Sequence, residues 1–381
     1  MKLMHTSDWH LGMELRGGQS YHDDQRHFID QICRIAVEAD AGGILIAGDV
    51  FDRQLASRDA LKLYDETMTH ICGDLRIPVF LIAGNHDGAE RISQCSELLK
   101  ASGLHIAGSL TGEVRPVRLG DVDVYMCPWI STDKVKTIYP ERADEIGTME
   151  DAYRVVMDAY RERFEPGRKN VLVAHAYIVD AETSVSDRAA EIGKATMVSA
   201  DVFEGFDYVA LGHLHGPQDV GEHVRYSGTP MAYSFGREES QVKSVTIIDT
   251  DDMSREIVPI PQLHRRVTLT GTYEELLGAD YDESILQGYV RLEVTDRFVG
   301  LEGAAALRER YDHMLEYSCR TLERDDARIT MTMEEFEDVE DDPLELFKRY
   351  CQDVMESEPD GHLEELFMDA VRKYESEVTE S

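Results

Sequence analysis

The chain has 381 residues, a net charge of −36 and six cysteines. That length exceeds one ordinary core and predicts two or three domains. The absence of any apolar run near about 18 residues excludes a membrane span. The cysteines (Cys33, Cys72, Cys95, Cys127, Cys319, Cys351) are scattered without a C-x-x-C pair, and the first residues run directly into a strand-like pattern rather than a signal peptide. Both features predict a reduced, cytoplasmic protein. The charge is uneven: residues 271–381 hold 32 acids and 11 bases, net −21. Such a surface excludes a general nucleic-acid coat. It reads as a solubility or salt-adapted surface, or as an attraction to a basic partner.

In chain order, Leu3–Thr6 reads as a strand leading into Asp8. A helical stripe follows at Phe28, Ile32, Ile35, Ala36 and Ala39, then a buried-strand run at Ile44–Ala47 ending in Gly48-Asp49. Leu61, Tyr64, Met68 and Ile71 make a second helical stripe, and Val79–Ala83 a third strand leading into Gly84-Asn85-His86-Asp87. This rhythm predicts an α/β fold with largely buried strands. Val122–Met126, Val171–Ala174, Tyr208–Leu211, Val224–Ser227 and Val245–Ile248 read as further strands, with one helix near Met149–Phe164. So few crossover helices predict a second sheet packed on the first.

A boundary is expected near Pro259-Ile260-Pro261. Beyond it, Arg266–Leu269, Tyr289–Val294 and Arg328–Met333 read as strands and Leu301–Tyr311 as a helix, a small α+β module. The acidic run Glu334–Asp342 reads as a solvated linker. Leu344, Phe347, Tyr350, Cys351 and Val354, then Leu363, Leu366, Phe367, Ala370, Val371 and Tyr374, read as two amphipathic helices that must dock on a partner or on this chain. The expected organisation is 1–260, 261–333 and 334–381.

Five motifs carry the chemistry: Asp8-Trp9-His10, Gly48-Asp49-Val50-Phe51-Asp52, Gly84-Asn85-His86-Asp87, His175 and Gly212-His213-Leu214-His215. Each follows a predicted strand, and in α/β folds sites form outside the carboxyl ends of strands. Alone, Asp49 is as well explained as a helix cap or turn residue. Alone, His213 or His215 is an ordinary strand-end histidine, but their alternation points both rings one way. The ordered set mixes carboxylate, carboxamide and imidazole without cysteine, which suits two adjacent divalent cations and phosphoester chemistry.

These motifs resemble those of the calcineurin-like metallophosphoesterases and, within them, the SbcD-type nuclease subunits of bacterial SbcCD complexes. Met4-His5-Thr6-Ser7-Asp8-Trp9-His10, Tyr226-Ser227-Gly228-Thr229-Pro230, Tyr233-Ser234-Phe235 and Asp342-Pro343-Leu344-Glu345-Leu346-Phe347 narrow the resemblance. It implies a two-sheet sandwich flanked by helices, with 261–333 as a capping domain and the C-terminal helices docking on an SbcC-type ATPase subunit. It implies one metal held by Asp8, His10, Asp49 and His215, and another by Asp49, Asn85, His175 and His213. Asp49 would bridge the two ions, which would be manganese or the chemically close magnesium. His86 would stabilise the transition state or protonate the leaving oxygen, with Asp87 orienting it. The implied substrates are duplex and hairpin DNA, cut by a homodimer within a heterotetramer. One departure is Asp52, where archaeal and eukaryotic relatives carry a histidine. Arg16, Arg53, Arg91 and Arg188 flank the motifs as candidates for DNA phosphate contacts or for surface ion pairs.

Overall fold

The structure, a computed structural model, describes residues 1–15, 20–179, 181–187, 197–296 and 301–319, with positions 344, 347–348, 351, 359, 361, 363–364 and 366–369. The chain divides into two compact units, Met1–Val267 and Thr268–Ser381.

In the first unit, strands β1 (Lys2–Thr6), β2 (Ala41–Ile46), β3 (Val79–Ile82) and β4 (Leu104–Ala107) are mutually parallel neighbours. Next come β5 (Val117–Leu119), β6 (Val122–Cys127), β7 (Lys169–His175), the short pair β8 (Tyr177–Ile178) and β9 (Met197–Val198), and β10 (Tyr208–Gly212). They are followed by β11 (Gln218–Asp219), β12 (Val224–Tyr226), β13 (Ser244–Asp249) and β14 (Arg255–Pro259). One six-stranded sheet runs β14-β13-β1-β2-β3-β4, and the other runs β11-β12-β10-β7-β6-β5. The second is parallel through β12, β10, β7 and β6, so the sandwich carries parallel cores in both layers.

The inner faces meet through Leu3, Leu45, Phe80 and Ile82 on one side and Val122, Val124, Val171, Val173 and Ala210 on the other. Strands buried on both faces must read as continuous apolar runs, which is why Ile44–Ala47 is apolar throughout and fully buried. The outer face of the second sheet is covered by the helix Met149–Arg161, whose Tyr153, Val156 and Met157 are buried. That helix starts at a capping box in which Asp151 accepts the Thr148 N–H at 2.8 Å. Strand β14 lay hidden in the sequence behind Pro259. It is an edge strand, where a missing N–H costs no ladder bond, and Pro259 sits opposite Ser244.

The second unit contains β15 (Arg266–Gly271), β16 (Tyr289–Val294) and β17 (His313–Cys319), with helices Tyr273–Gly278 and Leu301–Arg310. Its core is Leu276, Val290, Leu292, Val294, Leu307 and Tyr311. Phe347 and Phe367 stack with centroids 4.2 Å apart. The expected strand Arg328–Met333 and the acidic run Glu334–Asp342 lie outside the described residues. Among the described residues no helix is long and apolar enough to cross a membrane.

Candidate metal centre

The loops after β1, β2, β3 and β10 converge with the last residue of β7 at one edge of the sandwich. Their backbones interlock: Asp8 N–H donates to Gly48 O at 3.0 Å, His10 N–H to Asp49 O at 3.0 Å and Leu11 N–H to Val50 O at 2.8 Å. Asp8 (φ 54°), His10 (φ 44°), Asp49 (φ 50°) and His213 (φ 108°) all lie in the left-handed region. Non-glycine residues adopt it at a cost of about 1–3 kcal/mol each, so the surrounding bonds must impose it. The glycines have a different reason. A Cβ on Gly84 would collide with the Asp49 carboxylate, and one on Gly212 with the Ala47 carbonyl.

The side chains form two principal groups. Asp8, His10 and His215 bring ligand atoms within 4.8 Å of one another, and so do Asp49, His175 and His213. A third combination, His10, Asp49 and His86, links them, sharing His10 with the first and Asp49 with the second. In the first group His10 Nε2 and His215 Nε2 face each other at 3.1 Å. In the second, Asn85 Oδ1 lies 3.0 Å from His175 Nε2 and 3.1 Å from His213 Nδ1, and His175 Nε2 is 3.3 Å from Asp49 Oδ2. His175 Nδ1 donates to Ala47 O at 2.8 Å, which leaves Nε2 as the end facing the centre.

The electrostatics fit a cation. Burial pushes His10 and His215 well below the ordinary histidine range, reinforced at His10 by His215 and at His215 by Lys243. Burial and the neighbouring His175 push His213 down to about 3. These imidazoles are neutral. Burial, reinforced by the Asp49 charge, pushes Asp8 up to about 8. Burial opposes the charge on His175, but Asp49 outweighs it and raises the group to about 9. Asp49 goes the other way: His175 overcomes burial and holds it below the usual carboxylate range. An ionised Asp49 beside a protonated His175, an Asp8 carboxyl that keeps its proton and three neutral imidazoles form a buried donor set that a divalent ion would take up as those protons leave.

Residues 1–217 match the calcineurin-like phosphoesterase family model. The chain belongs to that family. It is a metal-dependent phosphoesterase. It is similar to the SbcD subunit of the SbcCD nuclease of Staphylococcus epidermidis, 29% identical over 84% of this chain and 85% of the relative. Two solved structures also match. TT1561 of Thermus thermophilus is 11% identical over 68% of this chain and 99% of its own, with a TM-score of 0.37. The calcineurin-like phosphoesterase YfkN of Bacillus subtilis is 10% identical over 68% and 90%, with a TM-score of 0.33.

Within this calcineurin-like phosphoesterase centre, His86 stands beside the ligands. Its ring meets His10 edge-on at 4.9 Å, and its N–H donates to Asp49 Oδ1 at 2.9 Å. The ring is oriented by the main chain of residue 52, because His86 Nδ1 donates to Asp52 O at 2.8 Å. Asp87 does not take the orienting role expected of it. Its carboxylate accepts the backbone N–H groups of Gly84 (2.9 Å), Phe51 (2.9 Å) and Val50 (3.2 Å), clamping two ligand loops together. Arg53 is exposed and lies 3.1 Å from Asp52 Oδ2, and Arg91 is exposed on the turn Ala89–Ile92. Arg16 and Arg188 lie outside the described residues.

Several contributors were not visible in the sequence. Trp129 stacks on His213 at 5.5 Å, with Tyr177 at 5.6 Å. Ser186 Oγ lies 2.6 Å from His215 Nδ1, and Asp187 accepts the His215 N–H at 2.7 Å. The segment Tyr226–Pro230 supports the same loop: Ser227 Oγ meets Ser7 Oγ at 2.8 Å and Thr229 N–H donates to His215 O at 3.1 Å. Tyr233 OH donates to Trp9 O at 2.5 Å. The signal for Glu238 and Lys243, a buried pair behind His215, was two opposite charges five residues apart just ahead of an apolar strand, a pattern with no motif of its own.

Proposed function

We propose that this phosphoesterase is a DNA nuclease subunit, hydrolysing phosphodiesters with two divalent ions. The observation that carries the reading is the pair of buried groups, Asp8-His10-His215 and Asp49-His175-His213, linked by the combination of His10 and Asp49 with His86. The similarity to an SbcD nuclease subunit across most of both chains supports DNA as the substrate. Asp8, His10, Asp49 and His215 would hold one ion, and Asp49, Asn85, His175 and His213 the other. Four imidazoles in the donor set favour manganese over magnesium. Bound ions would supply positive charge against the phosphoryl oxygens and a water of lowered pKa.

The chain's own residues do the rest. Asp49 touches both groups and fixes their spacing. The Asp52 carbonyl holds His86 Nδ1, so its Nε2 is the end available to protonate the leaving 3′-oxygen. Arg53 and Arg91, exposed shortly after Asp49 and His86 in the chain, would meet phosphates. In this reading the subunit is cytoplasmic and works as a homodimer with an SbcC-type ATPase. Its C-terminal helices dock on that partner and residues 261–333 cap the site. It digests duplex ends 3′→5′ and opens hairpins, in DNA repair, recombination and replication. A small-molecule phosphodiesterase is the competing reading.

The test is a manganese-dependent assay on blunt duplex and hairpin DNA, with and without the ATPase and ATP. Wild type is expected to release nucleotides, and His86→Ala to lose about 10²- to 10⁴-fold in rate at unchanged Mn²⁺ affinity. Turnover of cyclic nucleotides with none of DNA would sink the proposal.

A further inference from the structure

Glu238 and Lys243 form an ion pair that is 1% and 2% exposed and lies outside the ligand set. A buried pair is costly unless its hydrogen bonding is complete, and here it is. Lys243 Nζ donates to Glu238 Oε2 (2.7 Å), Thr229 Oγ1 (2.9 Å) and the main-chain oxygen of His215 (3.0 Å), which uses all three protons. Glu238 Oε2 also accepts the Tyr233 N–H at 3.1 Å. Glu238 Oε1 accepts the Ser234 hydroxyl at 2.5 Å and the Ser186 hydroxyl. Burial works against the Glu238 charge, but Lys243 outweighs it and keeps the carboxyl below its ordinary range.

That network has a direction. An ionised carboxylate has no proton to give, so the single Ser186 hydroxyl proton points at Glu238. Toward His215 Nδ1, 2.6 Å away, Ser186 Oγ has only lone pairs to offer. Nδ1 must therefore carry the ring proton, and Nε2 the lone pair. That Nε2 faces His10 Nε2 inside the group with Asp8. The backbone of the same residue is held as well, its N–H by Asp187 at 2.7 Å and its carbonyl by Lys243.

We propose that Glu238, acting through Ser186, is a positioning residue that fixes His215 in its Nδ1–H tautomer and aims the Nε2 lone pair at a divalent cation. A hydrogen bond to the far nitrogen sets which imidazole nitrogen binds metal, and loss of such a partner typically weakens metal affinity about 10- to 100-fold. The inference rests on the reading of His215 as a cation ligand, but not on DNA as the substrate.

The test uses the full chain labelled with ¹⁵N-histidine. Proton–nitrogen correlation spectra of the metal-free protein read the ring tautomer, and calorimetry reads Mn²⁺ affinity. Wild type is expected to show a protonated Nδ1 and bare Nε2 at His215. Ser186→Ala, a small change at a partly exposed position, is expected to mix the tautomers and weaken Mn²⁺ binding about 10- to 100-fold. Ser186→Thr, which keeps the hydroxyl, is expected to restore both. A wild-type His215 with bare Nδ1 overturns the proposal, as does Ser186→Ala that matches wild type in both readouts. A wild type that binds no Mn²⁺ overturns the metal reading itself, a result distinct from failure of the relay alone.

Discussion

His213 and His215 stand two residues apart on one loop, yet their surroundings share little. His215 is held at its N–H, its carbonyl and its Nδ1 by Asp187, Lys243 and Ser186, a charged network with its hydrogen bonds filled. The His213 N–H is likewise held by a carboxylate, that of Asp8 at 3.0 Å, and its Nδ1 lies 3.1 Å from Asn85 Oδ1, but its ring is packed, stacked on Trp129 and flanked by Tyr177 and His175. On its own side of the centre His175 is pinned by the main chain and by Asp49, with Nδ1 on the Ala47 carbonyl, Nε2 3.3 Å from Asp49 Oδ2 and Tyr153 OH donating to His175 O at 2.7 Å. One half of the site is oriented by directed hydrogen bonds that set a tautomer. The other is oriented by shape and by the main chain. Changes behind the two halves should therefore act differently.

The largest effect is expected where the halves meet. Asp49→Ala removes the carboxylate common to both sides and should lower phosphoester hydrolysis on the order of 10³-fold or more. Retained activity in a steady-state assay would mean that the halves work independently.

A medium effect should come from pH. In the metal-free fold Asp8 is raised to about 8 and His175 to about 9. Both sit above their unfolded values of about 3.9 and 6.5. The fold therefore binds these protons more tightly than the unfolded chain. The stability they contribute is full below the unfolded values and is lost as pH rises through about 8 and about 9. A cation that displaces the same protons binds better as they leave. The rise in Tm produced by Mn²⁺ should thus grow from about pH 6 to about pH 9. A flat or shrinking rise in thermal scans would contradict the assigned charge states.

The smallest effect is expected behind His213. Trp129→Ala should cost about 0.5–1.5 kcal/mol beyond the loss of buried area, seen in chemical denaturation, and leave the His215 tautomer untouched. A tautomer change there would mean that the two halves are coupled through their shared loop.

Much of this centre was legible in the sequence because its ligands sit directly after buried strands. The strand ends bring Asp8, Asp49, Asn85, His175 and Gly212-His213-Leu214-His215 to one edge without any long-range inference. The sandwich was legible for the same reason, since strands covered on both faces leave unbroken apolar runs. The supports were not. Ser186, Glu238 and Lys243 reach His215 from 29, 23 and 28 residues away along the chain, through bonds that no local pattern encodes. For Asp87 the family resemblance implied an orienting role toward His86, whereas its carboxylate turns back onto the loop amides, a contact that no local pattern encodes. His5 reads as an ordinary histidine, yet it lies fully buried, with Nδ1 2.9 Å from Tyr208 OH and Nε2 3.1 Å from Leu211 O.

The left-handed backbone at Asp8, His10, Asp49 and His213 has a consequence for how this protein can evolve. Glycine at any of the four would relax the backbone while deleting a side chain of the proposed metal centre. Heat resistance and catalysis are thus selected in opposite directions at these positions. A lineage released from the need for activity, or a laboratory selection for thermal tolerance alone, would be drawn to dismantle the site at these residues first.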